Sequence, residues 1–264
     1  MGVLNVTPDS FSDGGRHFDH GSAIVHGLEM ARAGAAVIDV GGESTRPGAE
    51  PVSAGEELDR VLPVVSALAS EDVLVSIDTS KAEVAAAAVA QGAVIINDVT
   101  ALADPDMASV AATDDAGVVL MHMQGEPRTM QVEPSYTDVV SEVTEFLVAK
   151  VGAAVAAGID PSAIAIDPGI GFGKTLDHNL DLLGSGVGAL AATGHPVLVG
   201  ASRKGFLAAL LGPIPTDDRD PASAAAHVLA IASGAAAIRV HNVVMGLRTA
   251  RVADAIVRRV RATS

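Results

Sequence analysis

Short apolar runs rich in β-branched residues alternate with longer helical stretches along the whole chain. Strands are predicted at residues 3–6, 36–40, 74–77, 94–96, 118–121, 163–166, 197–199 and 237–240. These runs do not alternate apolar with polar residues, so the strands should be parallel and buried on both faces. Eight strands and about eight helices, repeating every ~33 residues over a chain of 264, match the period of a (β/α)₈ barrel. We therefore predict one TIM barrel spanning residues 1–264, with a doubly wound open sheet as the alternative.

Local signals between the runs mark where helices begin and end. Capping-box patterns begin at Ser53 and Ser80, and Asp160 and Asp220 each precede a proline, as helix N-caps do. Glycines that should end helices stand at Gly34, Gly92, Gly158 and Gly194.

Composition excludes several classes of partner and chemistry. The formal net charge is −15, which disfavours binding to nucleic acid or to an anionic membrane. The chain contains no cysteine, so it offers neither disulfides nor thiolate ligands. No apolar run reaches the ~18 residues of a membrane span, and the first residues read as a strand rather than a signal peptide. We expect a cytoplasmic protein whose partners are small molecules.

Polar side chains follow almost every predicted strand. Catalytic groups of a TIM barrel lie at the carboxyl ends of its strands, so these side chains should share one mouth. They include Asn5, Asp39, Asp78, Asn97, His122, Asp167, Lys204, Arg239 and His241. A ring of this kind is costly to bury unless a ligand or an internal network satisfies it. The competing interpretation is a set of structural carboxylates and helix caps.

The ring indicates the chemistry of the ligand. Asp78, Asn97, Asp167 and Lys204 offer acceptors, an amide and a cation, which match the edge of a 2-amino-4-oxo-pyrimidine. The loop at 167–174 (DPGIGFGK) has three glycines that would let the backbone approach a flat ligand.

A second set of groups suits an anion, and phosphate in particular. It comprises Arg46, Arg203 and Arg239, together with Asn5 and His241. The eight histidines do not show the spacings of a metal site.

Several motifs, in order, resemble those of dihydropteroate synthases. They are MGVLNVTPDSFSDGG at 1–15, DVGGESTRPG at 39–48, SIDTS at 76–80, INDV at 96–99, MHMQG at 121–125, DPGIGFGK at 167–174, ASRKG at 201–205 and RVH at 239–241. The resemblance covers essentially the whole chain. It implies condensation of 6-hydroxymethyl-7,8-dihydropterin diphosphate with p-aminobenzoate, releasing pyrophosphate, in folate biosynthesis.

The resemblance also implies a role for each motif residue. Pterin would be bound by Asp78, Asn97, Met121, Asp167, Phe172 and Lys204. Pyrophosphate would be bound by Asn5, Arg46, Arg239 and His241, with Mg²⁺ as the cofactor on Asn5. The p-aminobenzoate pocket would use Phe11, Ser12, Thr45, Arg46, Pro47, Ser202, Arg203 and Lys204. The catalytic residues would be Asp13, Asp78, Lys204, Arg239 and His241.

The same resemblance implies a homodimer that sulfonamides inhibit. One departure is Asn242, where the family usually has aspartate after the Arg-Val-His motif, so His241 is expected to be less basic. Two alternatives stay open: a pterin-binding methyltransferase barrel, which would not need Arg239 and His241, and a homologue that binds pterin without turnover.

Overall fold

The computed structural model describes residues 1–7, 19–45 and 48–260. Within them the strands are β1 (Gly2–Asn5), β2 (Ile38–Gly41), β3 (Val75–Asp78), β4 (Ala93–Asp98), β5 (Gly117–Met121), β6 (Ile164–Asp167), β7 (Leu198–Val199) and β8 (Ala237–Ile238). The helices are α1 (His20–Arg32), α2 (Ala54–Ala69), α3 (Ala82–Ala90), α4 (Met107–Thr113), α5 (Val139–Ala156), α6 (Leu176–Asp181), α7 (Val187–Ala191), α8 (Gly205–Leu211), α9 (Asp220–Ala232) and α10 (Val243–Val257).

All strand pairs are parallel, and they follow the order of the chain. Strands β1 to β6 form one sheet, and β7 pairs with β8. Two further parallel bridges, Ile166 with Val197 and Gly2 with Val240, join the two sheets at both edges. At the second junction the Val3 amide donates to the Val240 carbonyl over 2.9 Å. The ring is therefore closed, which confirms the predicted barrel and excludes the open sheet.

Most strand residues are buried, as the apolar runs predicted, but Leu74 before β3 and Val94 in β4 are 54% and 45% exposed. All four residues of β2 are buried, and Ile38, Ile77, Ile96 and Leu120 belong to one continuous core between the barrel and its helices. No helix in the described part of the chain is both long and apolar enough to cross a bilayer.

The predicted helix boundaries are partly correct. The Ser53 side chain accepts from the Glu56 amide at the start of α2, and Asp160 caps a short 3₁₀ turn. The four predicted C-terminal glycines, Gly34, Gly92, Gly158 and Gly194, all have positive φ, from 89° to 105°.

Two predicted caps are wrong. Helix α3 begins after Lys81 without a side-chain cap, and the Asp104 carboxylate accepts from its first amide instead. Asp220 is the first residue of α9, and its carboxylate is used in tertiary contacts rather than as an N-cap.

Candidate active site

Arg239, which follows β8, joins the carboxylates of two other strands. Its Nε donates to Asp39 Oδ2 over 2.6 Å, and its Nη2 donates to Asp78 Oδ2 over 2.7 Å. The Asn97 amide donates to the same Asp39 oxygen over 3.0 Å. Barrel closure between β8 and β1 thus brings β2, β3, β4 and β8 together at one mouth. Asp39 was part of the predicted polar ring but had been given no role in ligand binding.

This cluster is buried and holds unsatisfied acceptors. The Asp39 side chain is fully buried and that of Asp78 is 11% exposed. Among the described residues, Asp39 Oδ1, Asp78 Oδ1 and Ser76 Oγ have no hydrogen-bond partner. A buried acceptor without a donor is unfavourable, so a ligand that brings N–H groups would satisfy it.

Burial and pairing shift the pKa values of Asp78 and Arg239 in ways that fix only one of the two charges near neutral pH. Burial raises the pKa of Asp78 to about 7, against the opposing attraction of Arg239. For Arg239, burial acts to lower the pKa, but the Asp39 and Asp78 carboxylates outweigh it and raise the pKa further. The guanidinium is therefore a permanent charge, whereas Asp78 can change protonation near neutral pH.

The loop after β6 is shaped by close backbone contacts. Asp167 Oδ1 accepts from the Gly169 amide over 2.7 Å. Gly169 and Gly173 have φ of +66° and +60°, and an added Cβ would lie 1.9 Å from the His122 carbonyl oxygen and 2.3 Å from the Gln124 carbonyl oxygen. Only glycine fits there, so the segment from 169 to 173 packs directly on the backbone after β5. Burial raises the pKa of Asp167.

A buried lysine under this loop was not predicted as a site residue. Lys174 is 3% exposed, and its Nζ lies 2.9 Å from the Phe172 carbonyl oxygen and 3.0 Å from His122 Nδ1. Burial lowers the pKa of Lys174 to about 7 and that of His122 to about 3. Lys174 thereby joins the ends of β5 and β6. Two features of the sequence could have indicated this contact: His122 follows β5, and Lys174 ends the glycine-rich segment that follows β6.

Lys204 lies over an aromatic ring beside Asp167. Its Nζ is 3.9 Å from the centroid of the Phe172 ring, a cation–π contact. Phe172 also packs with Met121 in a small apolar cluster that is separate from the main core. A Cβ built on Gly200 would lie 3.9 Å from Asp167 Oδ2 and 3.8 Å from Arg239 Cβ, so those two residues flank the same glycine.

The predicted pterin residues therefore surround one mouth. They are Asp78, Asn97, Met121, Asp167, Phe172 and Lys204. They combine hydrogen-bond acceptors with apolar side chains and a cation.

His241 and Ser202 join the ends of β8 and β7. Ser202 Oγ lies 3.2 Å from the His241 amide nitrogen and 3.1 Å from its Nδ1. Asn5 ends β1, whose strand pairs with the segment containing Val240. Asn5 therefore lies on the strand next to Arg239 and His241, as the predicted anion site requires.

Arg203 makes its described contacts within the protein. Its guanidinium forms a two-bond pair with Asp220, at 2.7 and 2.9 Å, and an ion pair with Asp217 at 2.6 Å. The Asp220 hydrogen bonds raise the pKa of Arg203. Arg203 thus holds the loop after β7 against α9 with its charge already paired, and its assignment to the p-aminobenzoate and anion sites stays a prediction.

Asn242 uses its amide in both directions. Its Oδ1 accepts from the Met245 amide over 3.0 Å and caps α10, while Nδ2 donates to Asp220 Oδ2 over 2.9 Å. The donation is one that an aspartate could not make. The Arg203 hydrogen bond is the largest influence lowering the pKa of Asp220, with a smaller contribution from His241. His241 therefore still has a carboxylate in its surroundings, although position 242 is neutral.

Five predicted residues lie outside the described part of the chain: Phe11, Ser12, Asp13, Arg46 and Pro47. Thr45, which was also predicted to line the p-aminobenzoate pocket, is described and is half-buried beyond the end of β2.

Comparison with known proteins connects this site with a function. The family model described as pterin binding enzyme matches residues 1–241. Dihydropteroate synthase of Mycobacterium leprae is 50% identical over 254 residues, which cover 92% of this chain and 88% of that protein.

Two solved structures are also similar. The Yersinia pestis dihydropteroate synthase in complex with a sulfonamide drug superposes with a TM-score of 0.92 at 46% identity, covering 98% of this chain and 94% of that one. The Xanthomonas albilineans enzyme in complex with 7,8-dihydropteroate gives a TM-score of 0.86 at 43% identity, covering 97% and 92%.

Proposed function

The chain belongs to the dihydropteroate synthase family, and on that premise we propose how its residues carry out the family's reaction. It condenses 6-hydroxymethyl-7,8-dihydropterin diphosphate with p-aminobenzoate, giving 7,8-dihydropteroate and pyrophosphate. The observation that carries the proposal is the Arg239 cluster, in which Asp78 keeps one buried oxygen without a donor among the described residues. The cluster supplies both an acceptor for a heterocycle and a fixed cation for a leaving group.

The pterin ring is proposed to bind between the acceptors and the apolar cluster. Asp167 and Asp78 accept from its N–H groups, and Asn97 can donate or accept. Met121 and Phe172 contact the ring face, while Lys204 donates to an acceptor at its edge. Asp167 is pre-oriented by the Gly169 amide, so little ordering is needed when the ligand arrives.

The diphosphate is proposed to lie at the side of the mouth formed by β8 and β1. Arg239 and His241 donate to its oxygens, and Arg46 would add a second guanidinium from the second loop. Because the protein carries a net charge of −15, local cations must offset general repulsion of the anion.

Mg²⁺ fits the donor set at Asn5. Magnesium is usually held by one or two protein oxygens, water and substrate phosphates rather than by a dedicated protein cage. The described residues contain no cluster of three or more histidine, cysteine or acidic side chains that could form such a cage. The Asn5 side-chain oxygen would hold the ion against the diphosphate, where it would neutralise charge on the departing oxygens.

The chemical step transfers the pterin methylene group from oxygen to nitrogen. The arylamine nitrogen attacks the methylene carbon, the bond from that carbon to the diphosphate oxygen breaks, and the nitrogen loses a proton. Positive charge that develops on the pterin is stabilised by Asp78 and Asp167, while Arg239 stabilises the leaving pyrophosphate. Closure of the loops that follow β1 and β2 would form the arylamine pocket and exclude water. These loops carry Phe11, Ser12, Asp13, Thr45 and Pro47.

The deciding experiment is turnover with pterin diphosphate, p-aminobenzoate and Mg²⁺, followed by release of pyrophosphate. Pyrophosphate release that requires p-aminobenzoate supports the synthase. Binding of pterin without turnover would indicate the non-catalytic homologue. The intact Arg239–His241 segment favours the synthase over a methyltransferase barrel, which has no pyrophosphate to stabilise. Omitting Mg²⁺ tests the cofactor, and unchanged turnover in a chelator would contradict its role.

We propose in addition that the protein is a cytoplasmic homodimer. The absence of cysteine is typical of proteins that do not depend on disulfides. Exposed apolar side chains on the packed helices α9 and α10 support self-association: Leu229 is 61% exposed and Ile256 66% exposed. Light scattering should give twice the monomer mass, and Ile256→Glu should shift it towards the monomer. A monomeric native protein would contradict the dimer.

A further inference from the structure

One ammonium group lies between two carboxylates from different elements beside the mouth. Lys81, three residues beyond β3, bonds Glu57 Oε2 in α2 over 2.5 Å and also bonds Glu43, which follows β2. The Glu57 side chain is fully buried, and its other oxygen has no partner among the described residues. Lys81 lies within the capping-box pattern that begins at Ser80, and it is not part of the candidate active site.

The same region fixes both ends of the second loop, defined here as residues 42–53. Arg60 Nη1 donates to the Gly42 carbonyl over 2.6 Å, and a Cβ on Gly42 would lie 2.7 Å from Val61 Cγ1. Gly42 is thus pressed directly onto α2. At its other end, Ser53 caps the same helix. Glu43, the residue after Gly42, bonds Lys81, which precedes α3.

The cluster depends on the central lysine. Burial acts to lower the pKa of Lys81, but the hydrogen bonds with Glu43 and Glu57 outweigh it and raise the pKa. Without the ammonium, two carboxylates would face each other, one of them fully buried. Removing one partner of a buried pair is far more damaging than removing an exposed one. Glu43 would then turn towards solvent and move the start of the second loop.

We propose that Lys81, Glu43 and Glu57 are positioning residues that fix the course of residues 42–45 after β2 and thereby set the affinity for p-aminobenzoate. This inference rests on the proposed function, because it assigns the arylamine pocket to the loop that carries Thr45, Arg46 and Pro47. None of the three residues touches the reacting atoms. They act by fixing where the chain leaves β2 and returns to α2.

The test compares Glu43→Gln, Glu57→Gln, Lys81→Met and Lys81→Arg with the native enzyme. Glu83→Gln is the matched control, because Glu83 is an exposed carboxylate in the first turn of α3, two residues after Lys81. Steady-state kinetics give KM for each substrate and kcat, calorimetry gives binding of the pterin diphosphate alone, and thermal unfolding checks the fold.

We expect KM for p-aminobenzoate to rise about three- to tenfold in Glu43→Gln, the change expected for loss of one hydrogen bond of ordinary strength. Lys81→Met should have the larger effect, since it leaves two carboxylates unpaired, and Lys81→Arg should restore most of the native KM. The affinity for pterin diphosphate should stay within about twofold. Glu83→Gln should match the native enzyme.

Three results would overturn the inference. The first is an unchanged KM for p-aminobenzoate in both Glu43→Gln and Lys81→Met. The second is an equal loss of pterin diphosphate affinity, which would show a general structural role. The third is failure of Lys81→Arg to restore what Lys81→Met loses. If Glu57→Gln does not fold, the variants at the half-buried Glu43 and Lys81 still test the inference. A native enzyme without turnover would instead refute the proposed function.

Discussion

Arg239 Nη2 donates to Asp78 Oδ2 over 2.7 Å, although 161 residues separate the two in the chain. The contact joins the end of β3 to the segment after β8, and Arg239 shares its guanidinium with Asp39 on β2. One permanent cation therefore holds two buried carboxylates at the centre of the mouth. Much of the behaviour of the site depends on this arrangement.

Removing that cation should damage the fold as well as the activity. Arg239→Met would leave Asp39 and Asp78 buried without their partner, and breaking a buried pair in this way destabilises by about 3–5 kcal/mol. Urea unfolding should show the loss at pH 8. The loss should shrink towards pH 5, because the stranded carboxylates can then be protonated. Arg258→Met is the control, since its pair with Asp254 on α10 is half-exposed. Equal destabilisation by both variants would contradict the special role of Arg239.

Asp167→Asn should weaken pterin binding without unfolding the protein. An asparagine can still accept from the Gly169 amide, but it would present a donor to the N–H groups of the ligand. A mismatched buried pair costs about 1–3 kcal/mol, or roughly a five- to 150-fold loss of affinity.

Asp160→Asn is the matched control for that experiment. Asp160 makes the same type of contact, accepting from the Ser162 amide over 2.7 Å, but it lies before β6 at the opposite end of the strand. Calorimetry should show native pterin affinity for this control. Native affinity in Asp167→Asn as well would refute the assignment of Asp167.

Pterin binding should release a proton near neutral pH. Burial raises the pKa of Asp78 to about 7, so the ligand-free site is partly protonated there. A ligand whose N–H groups donate to Asp78 favours the ionised form, so affinity should increase as the pH rises from 6 to 8. Calorimetry in buffers with different heats of ionisation measures the released proton directly. Its persistence in Asp78→Asn would show that another group is responsible.

The raised pKa of Asp78 also affects the ligand-free fold. The pKa in the folded state lies above that of the unfolded chain, so the folded state binds the extra proton. The contribution of this residue should therefore make the protein progressively less stable as the pH rises from about 4 to about 7. Asp78→Asn should remove that part of the pH dependence in urea unfolding, whereas an unchanged slope would contradict it.

Sulfonamides should compete with p-aminobenzoate. They share its aniline ring, and the second motif keeps Thr45, Arg46 and Pro47 in the spacing of the family. Discrimination against the drug would require a clash that the smaller substrate does not feel. Steady-state kinetics at several p-aminobenzoate concentrations should show inhibition that excess substrate relieves. Inhibition that substrate does not relieve would show that the pocket lies elsewhere.

The barrel could be predicted from sequence because its physical causes are local. A parallel strand buried on both faces is a continuous apolar run, and every predicted strand overlaps one in the structure. The positive φ of Gly34 and Gly92 likewise follows from the need to end a helix without a Cβ clash. The polar ring could be predicted because parallel strands carry their carboxyl ends to one side.

The failed predictions all have tertiary causes. Asp220 looked like an N-cap, but its carboxylate is held by Arg203 and Asn242, which lie in distant segments. Glu57 carries no sequence signal that distinguishes it from the exposed Glu56, yet it is fully buried against Lys81. The ion pairs of Arg203 with Asp217 and Asp220 likewise join segments that no local pattern connects. A local sequence pattern cannot predict which charged residues from distant segments will form an ion pair in the folded protein.

The bridge between Gly2 and Val240 means that the mouth is complete only when β8 lies beside β1. Until β8 meets β1, the segment with Arg239 cannot reach the carboxylates on β2 and β3, and those charges resist burial together. Contacts between such distant parts of the chain form slowly, because a long loop must be closed before they are gained. A truncated chain that lacks β8 would therefore lack more than one edge of the barrel. Its Asp39 and Asp78 carboxylates would face each other without Arg239 between them. Catalytic activity would therefore show that the whole ring of strands has closed.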